Sequence, residues 1–144
     1  MSMQDEASLI LKLYELRREE TMRKARDWYI RSFNPETLDD VTTAMFGEHS
    51  GHLRMVMTYW DMAAALVNHG SINLELFNST NAEHFAVFAK LELLLNEMRA
   101  AQGPNALVNL EKLIDATPGG RERCAQTRAR LKGMRDRLAA RQTA

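Results

Sequence analysis

In the run "EHSGH" two imidazoles, His49 and His52, stand three residues apart, and on a helix that spacing gives them one face. Metal sites use such pairs when carboxylates such as Glu48 join them. The chain holds neither His-Glu-x-x-His nor the paired Glu-x-x-His of di-iron bundles, so ordinary helix-end and surface histidines are the competing reading. His69 falls at a helix end and His84 in the first turn of a later helix. No motif asks for a cofactor.

A second constellation interrupts the most apolar stretch of the chain. Arg54, Thr58 and Asp61 follow one another at spacings of four and three, which places them on one narrow helical stripe. Arg17 and Glu92 can complete a buried charge network with them, since buried charges are tolerable only when paired. The alternatives are a plain solvent edge or a ligand pocket.

The third is a basic tail. Residues 121 to 141 hold eight Arg or Lys against Glu122 and Asp136, a local charge of +6. Arg121, Arg123, Arg128, Arg130, Lys132, Arg135 and Arg137 are its candidate contacts for an anion or a partner. Phosphate binding by such a helix is electrostatically sound, but no aromatic side chain is present to stack a base. Packing against an acidic body is the plainer reading. Cys124 sits among Arg121, Arg123 and Arg128, which can activate a thiol, and it also fits as a small apolar packing residue. Pro118-Gly119-Gly120 has no strand before it and no Lys-Ser/Thr after it, so it is not a phosphate loop.

The elements that must position these groups all read with a helical period. A first long helix is predicted from about Asp5 to Ser32, burying Ala7, Ile10, Leu13, Tyr14, Thr21, Ala25 and Trp28, with Arg17 among them. Asn34-Pro35 starts a short second helix that runs to Phe46. A third ends at His69 and is apolar on most faces, which marks it as central. Gly70 stops it, and Ser71 caps a fourth helix from Ile72 to about Asn78. A fifth follows from about Ala82 to Ala101 and a sixth from Asn105 to Ala116. The last, Arg121 to Arg141, carries only a narrow seam of Cys124, Leu131, Met134 and Leu138. The expectation is an all-α bundle over residues 1–117, with helices one, three and five as its core and helices two, four and six covering the ends. Residues 118–144 form an Arg-rich helix of the same domain or an oligomerisation arm.

Bulk composition narrows the classes. At 144 residues the chain can bury a core without staples, and its 19 basic and 19 acidic residues balance, leaving −6 outside the tail. A single cysteine excludes an internal disulfide and suits a reducing compartment, the cytoplasm. The apolar run Leu9-Ile10-Leu11 is too short for a signal segment or a membrane span.

The run "RMVMTYWDMAAALVNHGSINLELF" resembles a bacterial helical family of unknown function. The matching features are Arg54, Tyr59-Trp60, Asp61, Leu66-Val67, Gly70, Ile72 and Glu75-Leu76, followed by Arg99. The resemblance covers about the first two thirds of the chain and implies a fold without an activity. Many members carry an amino-terminal membrane anchor; none is expected in residues 1–20 here, so the resemblance is not taken to imply a membrane-linked role. Residues and resemblance together point to a non-enzymatic structural or interaction protein that forms a homodimer or holds another protein. Nucleic-acid regulation through the tail, and metal or small-molecule binding around His49, His52 and the Arg54/Asp61 stripe, are the alternatives.

Overall fold

The computed structural model describes residues 2–143 and is all-α. Its helices are α1 (Met3–Arg18), α2 (Glu20–Arg31), α3 (Leu38–Phe46), α4 (Ser50–Asn68), α5 (Leu74–Thr80), α6 (Glu83–Leu91), α7 (Leu95–Gln102), α8 (Val108–Ala116) and α9 (Gly120–Thr143). Among the described residues no helix is long and apolar enough to cross a membrane.

α4 is central because seven of its side chains, from Leu53 through Tyr59 and Trp60 to Val67, leave solvent on more than one face. It packs most extensively on α8 and α2, not on the expected partners alone. α8 was expected to cover an end; instead it buries Leu110, Leu113 and Ile114 against α4. α6 is apolar nearly all round, and α9 covers the side that the rest of the bundle leaves open.

The long first helix is in fact two. Glu19 takes an extended conformation with ψ 143°, and its carboxylate caps α2 by accepting from the Met22 N–H at 2.9 Å. The break resets the helical wheel. Thr21 therefore lies exposed, as do Ala7 and Tyr14 on α1, while Met22, Ala25 and Tyr29 form the inner face of α2. The carbonyl of Arg17, which a continuous helix would bond to Thr21, instead accepts from Arg26 Nη1 at 3.0 Å.

Other boundaries moved for local reasons. Asn34-Pro35 does not start α3. Thr37 and Asp40 form a reciprocal capping box two residues later, a stronger N-terminal signal than Asn-Pro. Likewise Asn73, not Ser71, caps α5, because Ser71 is used in ending α4. There the Gly70 N–H bonds to Val67 and the Ser71 N–H to Leu66, with Gly70 at φ 90°, which is the Schellman arrangement. The fifth predicted helix is interrupted by a tight 3₁₀ turn, Glu92–Leu94, that separates α6 from α7.

The corner before α9 is the most constrained. A Cβ on Gly120 would sit 2.0 Å from the Ile114 carbonyl oxygen, a backbone atom that cannot swing aside. Gly120→Ala is therefore expected to destabilise the fold by about 2–3 kcal/mol, read as a lower urea midpoint. An unchanged midpoint would show that α9 does not need this close approach.

Candidate functional site

The stripe on α4 divides. Arg54 and Thr58 lie on an exposed edge, where Arg54 Nη2 donates to Ser50 Oγ at 3.1 Å and Thr58 donates to the Arg54 carbonyl at 2.6 Å. Asp61 turns the other way, toward α8. One carboxylate oxygen accepts from the Leu110 backbone N–H at 2.9 Å and the other from Asn109 Nδ2 at 3.1 Å. The residue at the cap of α8 is Leu107, held at φ 53° with no side chain able to accept a hydrogen bond. Asp61 supplies from a neighbouring helix the acceptor and negative charge that an N-terminus favours. No hydrogen bond or ion pair joins it to Arg54 among the described residues.

Arg17 belongs to a different cluster. Its Nη1 donates to Asn81 Oδ1 at 2.6 Å, and its guanidinium lies 5.4 Å from the ring centres of both Trp60 and Tyr14. Beside it Glu83 accepts from Arg26 Nε at 2.8 Å, Arg26 Nη2 at 3.2 Å and Trp60 Nε1 at 3.2 Å. Tyr59 donates to the Leu13 carbonyl at 2.6 Å. A part-buried polar cluster is thus built on Arg17, Arg26, Tyr59, Asn81 and Glu83. Arg26 escapes a sequence reading because it sits among charged residues that look solvated, and Glu83 because an acid in the first turn of a helix is ordinary.

Glu92 lies with the tail. It pairs with Arg121 Nη1 at 2.9 Å and with Arg128, whose Nε also donates to the Ala89 carbonyl at 2.9 Å. Arg121 reaches Asp115 at 2.7 and 3.0 Å and Glu111 at 3.0 Å, so three carboxylates surround one guanidinium. Hydrogen bonds from Arg121 hold the Asp115 carboxyl below the usual range. Burial alone would raise Glu111, but hydrogen bonds from Arg121 and Arg99 outweigh it and lower it. Arg123 lies over the Phe85 ring at 4.0 Å. Cys124 is fully buried at this contact, and burial pushes its thiol up to about 11, away from reactivity. Farther along, Arg135 Nη1 meets Asn34 Oδ1 at 3.0 Å and Lys132 faces Asp136 at 3.6 Å, while Arg130 and Arg137 are exposed.

The histidine pair is stacked. His49 and His52 have ring centres 5.6 Å apart, and Trp28 stacks on His49 at 5.1 Å. This is an aromatic ladder between α2 and the start of α4. Among the described residues no three His, Cys, Asp or Glu side chains are grouped as metal ligands.

The histidine whose position departs most from expectation is His84. It is fully buried, not on the surface, among the rings of Phe85, Phe77 and Trp60. The side chain of Thr117 donates to the Leu113 carbonyl at 2.8 Å, and Asn78 Nδ2 donates to Thr117 Oγ1 at 3.0 Å. That turns Asn78 Oδ1 toward His84 Nε2 at 2.9 Å, so Nε2 must carry the hydrogen. Burial, helped by the charges of Arg123 and Arg17, lowers its pKa to about 3.

A family model described as "Domain of unknown function (DUF4760)" matches residues 3–117. The match ends one residue before Pro118, so α9 lies outside it. No curated protein and no solved structure matches the chain.

The buried imidazole carries a pH signature. Below pH 6.5 the unfolded chain takes up a proton at His84 that the folded chain refuses until about pH 3, so stability falls as pH falls through this window. Between pH 7 and 5 the wild type is expected to lose about 1–2 kcal/mol more than His84→Gln, measured by urea unfolding. Parallel pH profiles would show that His84 is protonated in the native state.

Proposed function

The chain belongs to the family of the DUF4760 domain, a domain of unknown function. From the surface of α9 we propose a non-enzymatic helical interaction protein that self-associates through the far end of that helix. The observation that carries this reading is the exposure of Met134 (46%) and Leu138 (57%) on a helix whose earlier turns are held to the body by Arg121 and Arg128. With the half-buried Leu131 they form a seam at spacings of three and four, too narrow for a core face and suited to one partner surface.

Two copies of this tail repel each other, so tail-on-tail pairing is the poorer geometry. A better seat is the groove where the α1–α2 junction meets α4, about 450 Å³ in volume. Leu16, Met22, Met55 and Met62 line it, and Glu19 is the charged residue at its wall. Methionine side chains adapt readily to an incoming apolar ridge. Reciprocal seating of each tail in the other copy's groove gives a closed two-fold dimer. The cytoplasm suits this protein, whose single thiol is buried and unpaired. Nucleic-acid binding is the weaker reading, because Arg121 and Arg128 are already committed to carboxylates.

Sedimentation of the full chain at micromolar concentration is expected to show a dimer. Met134→Glu with Leu138→Glu should weaken it at least about a hundredfold, and Met55→Glu with Met62→Glu should do the same from the other side. A wild-type monomer across that range, or a dimer indifferent to both pairs, would overturn the reading.

A further inference from the structure

Lys90, on α6, is held by the end of α2. Its Nζ donates to the carbonyls of Tyr29, Ile30 and Phe33 at 2.7, 2.8 and 2.7 Å, and reaches Asn34 Oδ1 at 3.1 Å. Arg135, from α9, donates to that same amide oxygen at 3.0 Å. Two cations therefore converge on one neutral acceptor. Among the described residues neither makes an ion pair.

Positive charge continues along the cleft beside them. Arg128, Lys132 and Arg135 stand at i, i+4 and i+7 on α9, so all three face the same way. They line a cleft of about 410 Å³ whose opposite wall is Ala89, Leu93 and Leu94, with Pro35 and Glu36 at one end. Leu93 is 74% exposed there, a large apolar side chain beside a row of cations. The carboxylates in reach are already placed. Glu92 is paired with Arg121 and Arg128, and Asp136 lies beside Lys132 on the outer side of α9. Glu36 also lines the cleft, and among the described residues it makes no ion pair to the cations there. The donors left open are the second terminal nitrogen of Arg135, Nη1 of Arg128 and the exposed ammonium of Lys132.

We infer that this cleft binds a small amphipathic anion, a phosphate or carboxylate head between Arg135, Lys132 and Arg128 with a short aliphatic tail along Leu93 and Leu94. The head supplies the negative charge that Asn34 cannot, and charge-assisted contacts to a guanidinium favour planar or tetrahedral oxyanions. The tail covers apolar surface that the fold leaves in water. Burial, and then the charge of Arg135, bring the Lys90 ammonium down to about 8, so an anion seated nearby also relieves the repulsion between these two groups. The inference does not depend on dimer formation.

The test is calorimetric titration of the full chain at low salt with decyl phosphate, decanoate and inorganic phosphate, all below micelle formation. Backbone amide shifts of residues 34–36 and 90–94 report where each binds. Both tailed probes should bind, inorganic phosphate more weakly. Arg135→Gln should weaken all that bind by roughly tenfold, and Arg135→Lys by less. Leu93→Ser should weaken the tailed probes and leave inorganic phosphate unchanged. Arg130→Gln removes an exposed charge outside the cleft and should leave binding intact. The inference fails if no dispersed probe binds, if binding occurs only on vesicles of anionic lipid, or if Arg130→Gln weakens binding as much as Arg135→Gln.

Discussion

The carboxylate of Glu83 is the joint on which the bundle turns. It stands at the first position of α6 and accepts from both Nε and Nη2 of Arg26 on α2 and from the indole of Trp60 on α4. Neither partner of the ion pair is fully in water, so removing one would leave the other partly buried and unpaired, which costs more than the pair itself gains. Arg26 has a further duty. The same guanidinium satisfies the Arg17 carbonyl freed by the break at Glu19, so the break between α1 and α2 and the junction of α2, α4 and α6 share one side chain. Trp60 in turn lends its ring face to Arg17. The largest side chain of the core is thus fixed by polar contacts at its rim, which gives a nonspecific apolar cluster one defined arrangement.

The last helix is attached by different physics. Gly120 and Cys124 are its only fully buried residues among those described, and its seam is too thin to hold by apolar area. Arginines do the work instead: Arg121 against three carboxylates and the Phe88 ring, Arg123 over Phe85, Arg128 against Glu92 and a carbonyl. The −6 of the body and the +6 of the tail meet here in part. The Arg121–Asp115 contact lies nearest the surface and weakens most with salt, whereas Glu92–Arg128 and the junction around Glu83 are more deeply set and screened less. Attachment strength therefore declines along α9, from a steric lock at Gly120 to exposed turns past Asp136.

Much of the architecture was legible because it rests on periodicity and on Gly or Pro. The apolar faces of α4 and the stop at Gly70 follow from residue types alone. What stayed hidden depends on contacts across the fold. The break at Glu19 has no Gly or Pro to announce it, and Arg26, which satisfies the carbonyl it frees, lies on the following helix. Asp61 was visible as an anomaly in an apolar helix, yet its role needed the left-handed Leu107 at the start of α8, whose own side chain cannot cap. Arg17 was expected to join Arg54, Thr58, Asp61 and Glu92; its neighbours are instead Arg26 and Glu83, which look like surface charges until α2 and α6 are packed together. His84 reads as a helix-end residue and becomes a core residue only when α4 and α5 pack beside α6.

Position along α9 sorts its cations into three states that identical residue types could not distinguish. Arg121 and Arg128 are neutralised by carboxylates of the body and act as fasteners. Arg135 is held by a neutral amide beside Lys90, so it is ordered without being compensated. Arg137 and Arg141 are exposed. A charge that is ordered but uncompensated has lost conformational entropy already, and an incoming anion need not supply that again. Arg121, set among three carboxylates, has no free charge to offer, Arg128 keeps only its Nη1 donor, and the exposed ones must first be immobilised. The middle of the helix is therefore where a small anion gains most, while its far end, with Met134 and Leu138 bare, is where a large apolar surface does. One helix can serve both because the two demands fall on successive turns.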